Sequence, residues 1–295
     1  MKNNRLSAGE WGERLVLALL FVAIGFLIFF VFSPLRPFLA RGGDYPGRIA
    51  DYLGRIGLSA ILLAALWLVR KSKRFEKYGQ VWLGLLIMAI AVSFDRIFSI
   101  YLIVYLGVTD TTAAGWAISK LNECAVVVCT VIVLTRMAGG SLGSIYIQKG
   151  NLKLGLTIGL ITFCLAAAGS TLMAAFLFKG QNLTLARIIV WLPWLLLFVL
   201  ANATQEELLF RGLFLRKLQP FFGRFISNFL IVFVFTALHQ GANYASNNLI
   251  FLAAVILMAL AWGYLMQKTD SIWGSILFHA GMDIPIMLGI FSNLK

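Results

Sequence analysis

Residues 154–178 read LGLTIGLITFCLAAAGSTLMAAFLF, an unbroken apolar run without one charged side chain. About 20 apolar residues in a helix cross the hydrocarbon core of a bilayer. Inside lipid only a helix or a closed barrel satisfies every backbone polar group. Comparable runs lie near 15–33, 49–69, 81–106, 113–135, 187–210, 225–243, 249–266 and 272–291. Composition agrees: 60% of the 295 residues are apolar and 13% charged, against roughly 25% charged in a soluble domain. Mean hydropathy is +0.88. These figures exclude a soluble globule, a disordered chain, a collagen and a coiled coil. The expected fold class is all-α: a polytopic transmembrane helical bundle of eight or nine spans. The run at 49–69 is the weakest, with Asp51 and Arg55 in its first turns. The first run has a basic start, but it is too long for a cleavable signal and reads as an anchor. Cys124, Cys129 and Cys164 all fall inside apolar runs and read as small buried hydrophobes, not as a disulfide or metal framework.

The formal net charge of +13 points to the membrane rather than to nucleic acid, because the basic residues sit in short connections between spans. With the N-terminus inside, 16 of the 25 Lys and Arg fall on the inner side, 7 on the outer, and Arg96 and Lys120 within spans. Positive residues accumulate in cytoplasmic loops, so the expectation is a multi-pass cell-membrane protein with a cytoplasmic N-terminus. Nine spans then place the C-terminus outside. Up to about residue 180 the spans are plain, with Gly155-x-x-x-Gly159 suited to close helix packing. From about 187 onward polar groups enter the apolar runs. The expected organisation is a transmembrane scaffold over 1–185 and a catalytic helical core over 187–291.

An ionisable group at membrane depth costs about 2.5–3.5 kcal/mol on insertion scales, so each needs a partner or a function. Lys120 and Glu123 are i,i+3 neighbours that can pair. Asp95 and Arg96 point in different directions, so the partner of Asp95 is expected from another helix. Three C-terminal groups differ. Glu206-Glu207-Leu208-Leu209-Phe210-Arg211 falls at the inner end of the sixth span, where the plain reading is a helix end emerging into the cytoplasm. Glu207 and Arg211 stand i,i+4 in the favourable acid-before-base order. Glu206 is rotated about 100° from Glu207 and lacks that arginine. Phe235 and His239 are one turn apart, as are His279 and Asp283. A lone histidine on an apolar helix is more often a satisfied core group. Both of the chain's histidines, together with an unpaired glutamate in helices joined by short connections, point instead to one site.

Glu-Glu-x-x-x-Arg, Phe-x-x-x-His and His-x-x-x-Asp, in that order over the hydrophobic helices of 187–291, resemble the CPBP family of intramembrane proteases. That family comprises CAAX proteases and bacteriocin-processing (Abi) enzymes and includes the type II CAAX prenyl endopeptidases. The resemblance implies an intramembrane endopeptidase with Glu206, His239, His279 and Asp283 as catalytic residues and Glu207, Arg211 and Phe235 in support. Glu206 and His239 would activate water; His279 and Asp283 would hold the oxyanion. Many members carry Asn where this chain has Asp283, so Asp283 is either protonated or orients His279 through its ring N–H. The implied substrate is a membrane-associated protein or peptide, lipidated or not: a CAAX tail, a leader peptide or a membrane-anchored regulator.

The chemistry also stands without the resemblance. Peptide hydrolysis needs a water nucleophile, a base and donors for the tetrahedral intermediate. No Ser–His pairing is evident and no Cys lies near the motifs, which disfavours a covalent mechanism. The reading therefore needs no cofactor. One alternative keeps proteolysis but makes His239, His279 and Glu206 the ligands of a zinc ion with an open fourth position. Another is a non-catalytic immunity or binding protein, or a proton-coupled transporter, which would bury the same residue types.

Overall fold

The structure is a computed structural model that describes residues 8–31, 45–99, 104–109, 111–242 and 244–294. Lys2, Arg5, Arg36, Arg41 and Lys295, counted above in the charge balance, lie outside the described residues. Among the described residues the fold is all-helical, in the order α1 (Ala8–Phe26), α2 (Tyr45–Lys71), α3 (Gly79–Phe94), α4 (Ala113–Met137), α5 (Leu152–Leu177), α6 (Leu185–Glu206), α7 (Leu213–Leu238), α8 (Asn248–Thr269) and α9 (Trp273–Ser292). Wider π-helical turns extend α1 over Leu27–Val31 and α3 over Asp95–Ser99, and Glu207–Gly212 joins α6 to α7.

Eight stretches are long and apolar enough to cross a membrane. One of them, Leu185–Leu238, has 54 residues. At about 1.5 Å per residue it would be about 80 Å long, far more than the ~30 Å hydrocarbon core. The helix breaks at Gly223, whose φ of 73° and ψ of 178° are not helical, so this stretch makes two crossings and the described residues make nine. The sixth span therefore does not end at its acidic pair. The helix runs on through Arg211 to Gly223, and Glu207 and Arg211 are each 0% exposed. The plain alternative of a helix end emerging into the cytoplasm does not hold: the pair lies in the packed interior.

The ends of the helices confirm an alternating path. At one end Arg14 Nη1 donates to the Phe221 carbonyl at 2.6 Å, Glu13 pairs with Arg74 and Lys77, and Arg216 pairs with Asp270. At the other, Gln181 N donates to Ser292 Oγ and Ser246 N to the Leu177 carbonyl. The second span is made tenable by internal pairing: Asp51 and Arg55 are buried and bond to each other at 3.1 Å. Arg96 of the turn after α3 approaches Asp51 at 3.6 Å. For Asp95 the expectation of a partner from another helix is corrected, because Ser99 Oγ, on the following turn of the same helix, donates to it at 2.5 Å. Lys120 and Glu123 pair as the spacing predicts, at 2.5 Å.

The glycines of α5 find their partner in α9. A Cβ on Gly159 would stand 2.7 Å from the Gly274 carbonyl oxygen, and one on Gly274 would collide with the Gly155 carbonyl. Backbone thus meets backbone, and α5, on the N-terminal side of the boundary at 185–187, lies flush against the helix that carries His279. Replacing Gly159 with Val is expected to force these helices apart, at the roughly 1–3 kcal/mol that overpacking a close interface costs. Gly169→Ala, where the nearest atom is Met173 Sδ at 4.0 Å, serves as the neutral control. Thermal melting of the two purified variants in detergent checks this: the first melts well below the parent, the second with it.

Candidate active site

The site is assembled around the Glu207 carboxylate. Arg211, one turn further along, donates to Oε1 at 2.6 Å. Ser275 Oγ donates to Oε2 at 2.5 Å, and His279 Nδ1 donates to Oε1 at 2.8 Å. The last two donors stand one turn apart on α9, so they present to α6 from the same face. A buried carboxylate is tolerable only when it is both charge-paired and hydrogen-bonded, and here both conditions hold. The Arg211 guanidinium lies over the Phe235 ring at 4.7 Å and the Trp262 ring at 5.2 Å, so α7 and α8 give the cation aromatic faces in place of water.

With Nδ1 committed to Glu207, the other nitrogen of His279 is aimed at the remaining acids. Nε2 lies 3.5 Å from Glu206 Oε2 and 3.7 Å from Asp283 Oδ1. Glu206 and Glu207, expected to project in different directions, in fact reach opposite nitrogens of one imidazole. Glu206 Oε2 is buried and accepts no hydrogen bond among the described residues. The role of orienting His279 through its ring N–H, left open for Asp283, falls to Glu207. Asp283 is held by a different group, Asn202 Nδ2, which donates to its Oδ2 at 3.0 Å. Trp262 stacks on His279 with ring centroids 3.8 Å apart and planes 9° from parallel, so the imidazole is fixed in its plane as well as at its nitrogen.

His239 closes the group from α7. Its Nδ1 contacts the Phe235 carbonyl oxygen at 2.9 Å. A carbonyl can only accept, so Nδ1 carries the proton, and Nε2 of the neutral ring keeps its lone pair. The Phe235 ring lies 4.7 Å from His239 and 6.0 Å from His279, between the two imidazoles. His239, His279 and Asp283 line one cavity of about 90 Å³ together with Phe235 and Trp262; Glu206 joins them through His279.

The family model described as type II CAAX prenyl endopeptidase Rce1-like matches residues 187–285. Over this third of its length the chain is similar to the Rce1-like family. No curated protein and no solved structure matches the chain. The matched residues run from α6 into α9 and contain all of the motif side chains.

Three of the matched residues escaped the sequence reading: Asn202, Ser275 and Trp262. Asn202 precedes Glu206 and Ser275 precedes His279 by one helical turn, so the same spacing that picked out the acids could have found them. Trp262 had no such signal. The wall of the cavity also takes Met173, Leu177 and Phe178 from α5, outside the domain match. Among the described residues no group of three or more His, Cys, Asp or Glu is disposed to hold a metal ion.

Loss of one partner from a buried ion pair leaves a bare charge and costs about 3–5 kcal/mol. Glu207→Ala is therefore expected to reduce folded yield and melting temperature sharply, by stranding Arg211. Adding Arg211→Met to it removes the stranded charge and fills the space between Phe235 and Trp262. Size-exclusion profiles and melting curves should show the double variant recovering part of the loss. A double variant worse than the single would mean that Arg211 is held by something other than Glu207.

Proposed function

We propose that this chain is an intramembrane endopeptidase that hydrolyses a peptide bond of a membrane-associated substrate through water activated by Glu206 and the two histidines. The observation that carries the reading is the two-sided hold on His279: a charge-paired glutamate at one ring nitrogen, and an acceptor without a donor, Glu206 Oε2, facing the other at 3.5 Å. An uncommitted carboxylate at membrane depth is costly, and a general base must keep an acceptor free. Separations of this order tighten into hydrogen bonds when substrate is bound.

The oxygen of a water attacks the peptide carbonyl carbon while its proton passes to Glu206, with the His239 Nε2 lone pair as the second acceptor in reach of the cavity. The carbonyl oxygen becomes an oxyanion, and His279 in its doubly protonated form stabilises it through Nε2–H while Nδ1–H stays on Glu207, which holds the ring in that pose. The carbon–nitrogen bond then breaks, and the proton taken from water moves to the departing amine. Asp283, held by Asn202, borders the oxyanion position and supports the site in its protonated form. The N-terminus is cytoplasmic by the distribution of Lys and Arg.

The test uses purified protein in liposomes with two internally quenched peptides, one prenylated at its C-terminal tail and one spanning the bilayer. Glu206→Ala and His239→Ala should each lose about 10²–10⁴-fold in rate, the usual contribution of a positioned base. The double variant should be scarcely slower, because residues that act as a unit are not additive. Asp283→Asn should retain most of the rate, since Glu207 already orients His279. A chelator should leave the rate unchanged. Equal, mild losses for Glu206→Ala and His239→Ala at normal protein levels would sink the reading.

A further inference from the structure

The cavity that holds His239, His279 and Asp283 has an inner and an outer end, and the two differ. At about 1.5 Å per residue, His279 lies about 9 Å from the start of α9 and Ile286 about 20 Å. From His279 the cavity follows α9 toward its C-terminal end, past Met282 and Ile286. Its rim is formed by Leu177 at the end of α5 and by Asn247, Ile250 and Ala254 at the start of α8, all four exposed. These positions belong to the end of the bundle where α5 and α9 finish and α8 begins. On the other side of His279 the way is closed. Glu207, Arg211 and Ser275 are each 0% exposed. Beyond them the connections are stitched together: Ile272 N donates to the Tyr146 carbonyl at 3.1 Å, Ser271 Oγ to the Gln148 carbonyl at 2.9 Å, and Gln267 to the Arg224 carbonyl at 3.1 Å.

The closed end is also the basic end. Lys149, Lys153, Arg216, Lys217, Arg224 and Lys268 lie in or beside its connections, whereas the open end has Lys179 and Arg187 by the α5–α6 connection and no Lys or Arg over residues 239–248. Positive residues mark the cytoplasmic face. We infer that the site takes its substrate from the extracytoplasmic half of the bilayer, between α5 and α8: a membrane-embedded or lipid-anchored polypeptide presented from the outer leaflet rather than a tail arriving from the cytoplasm. The rim favours this class of occupant, because three of its four members are Leu, Ile and Ala, and a lateral opening of that character meets acyl chains. The inference rests on the proteolytic reading for what happens to the substrate, but not for the direction of access.

Single-cysteine variants in a background with Cys124, Cys129 and Cys164 replaced by alanine test it in intact cells. Ser246→Cys marks the open end, Lys149→Cys the basic end, and Ile286→Cys the interior of the cavity. A membrane-impermeant maleimide added outside should modify Ser246→Cys and Ile286→Cys and leave Lys149→Cys unmodified until the cells are permeabilised. In proteoliposomes the modified Ile286→Cys protein should lose nearly all cleavage of the bilayer-spanning peptide. Should Ile286→Cys fold poorly, Met282→Cys replaces it. Modification of the cavity cysteine from the cytoplasmic side alone, or from neither side, overturns the inference. Outside modification as expected, with neither peptide cleaved by the unmodified parent protein, would leave the direction of access standing and remove the protease reading instead.

Discussion

A single buried carboxylate organises the C-terminal half of this molecule. Glu207 has no contact with water, and an isolated charge there would cost far more than the whole fold is worth. It is tolerated because Arg211, Ser275 and His279 all donate to it. Arg211 in turn is tolerated because Phe235 and Trp262 face its guanidinium. Through this chain of obligations α6, α7, α8 and α9 are held to one another at one level of the membrane, and the imidazole of His279 is left with a single orientation. The chemistry proposed for Glu206 depends on that orientation being set before any substrate arrives, which is what makes electrostatic stabilisation effective.

Much of the architecture was legible in the sequence because lipid makes few structures possible. Runs such as 154–178 admit only a helix, and all nine recur as crossings. The pairing of Glu207 with Arg211 and that of Lys120 with Glu123 followed from helical spacing alone. What escaped was whatever depends on which helix lies against which. For the acidic pair a helix end stood as the plain alternative, since charge usually signals an exit from the bilayer. In this chain the charge is neutralised inside, and the helix continues. Asp95 was expected to need a partner from another helix, yet the serine one turn away on its own helix serves it.

The two glutamates teach a related lesson about register. Side chains next to each other on a regular helix diverge by about 100°. Glu206 closes α6 and Glu207 opens the wider turn that follows, where the winding is loosened. An imidazole offers nitrogens on two sides, so two diverging acids can still converge on one ring. The resemblance carried by the motifs pointed to these residues and set Glu206 apart from the Glu207–Arg211 pair, but it did not say that Glu207 would hold His279 Nδ1. Asn202 and Ser275 stood one turn from the acid and the histidine and were overlooked; Trp262 was invisible for a plainer reason, since aromatic residues occur throughout apolar helices and only contact gives them meaning. The same is true of α5, whose glycines were readable as a packing surface while their partner, Gly274, was not.

The break at Gly223 has a consequence of its own. With φ at 73° and ψ at 178°, this residue occupies a conformation that is essentially closed to L-amino acids, yet a Cβ built there would meet nothing within 4 Å. The demand for glycine is thus one of handedness and not of space. A mirror-image residue such as D-alanine takes these angles as readily as an L-residue takes ordinary extended ones. In a chain made by semisynthesis it would keep the bend and would deprive the unfolded chain of freedom that glycine now gives it. The turn between the sixth and seventh crossings is therefore a place where inverting one stereocentre strengthens the protein, and where every natural side chain weakens it.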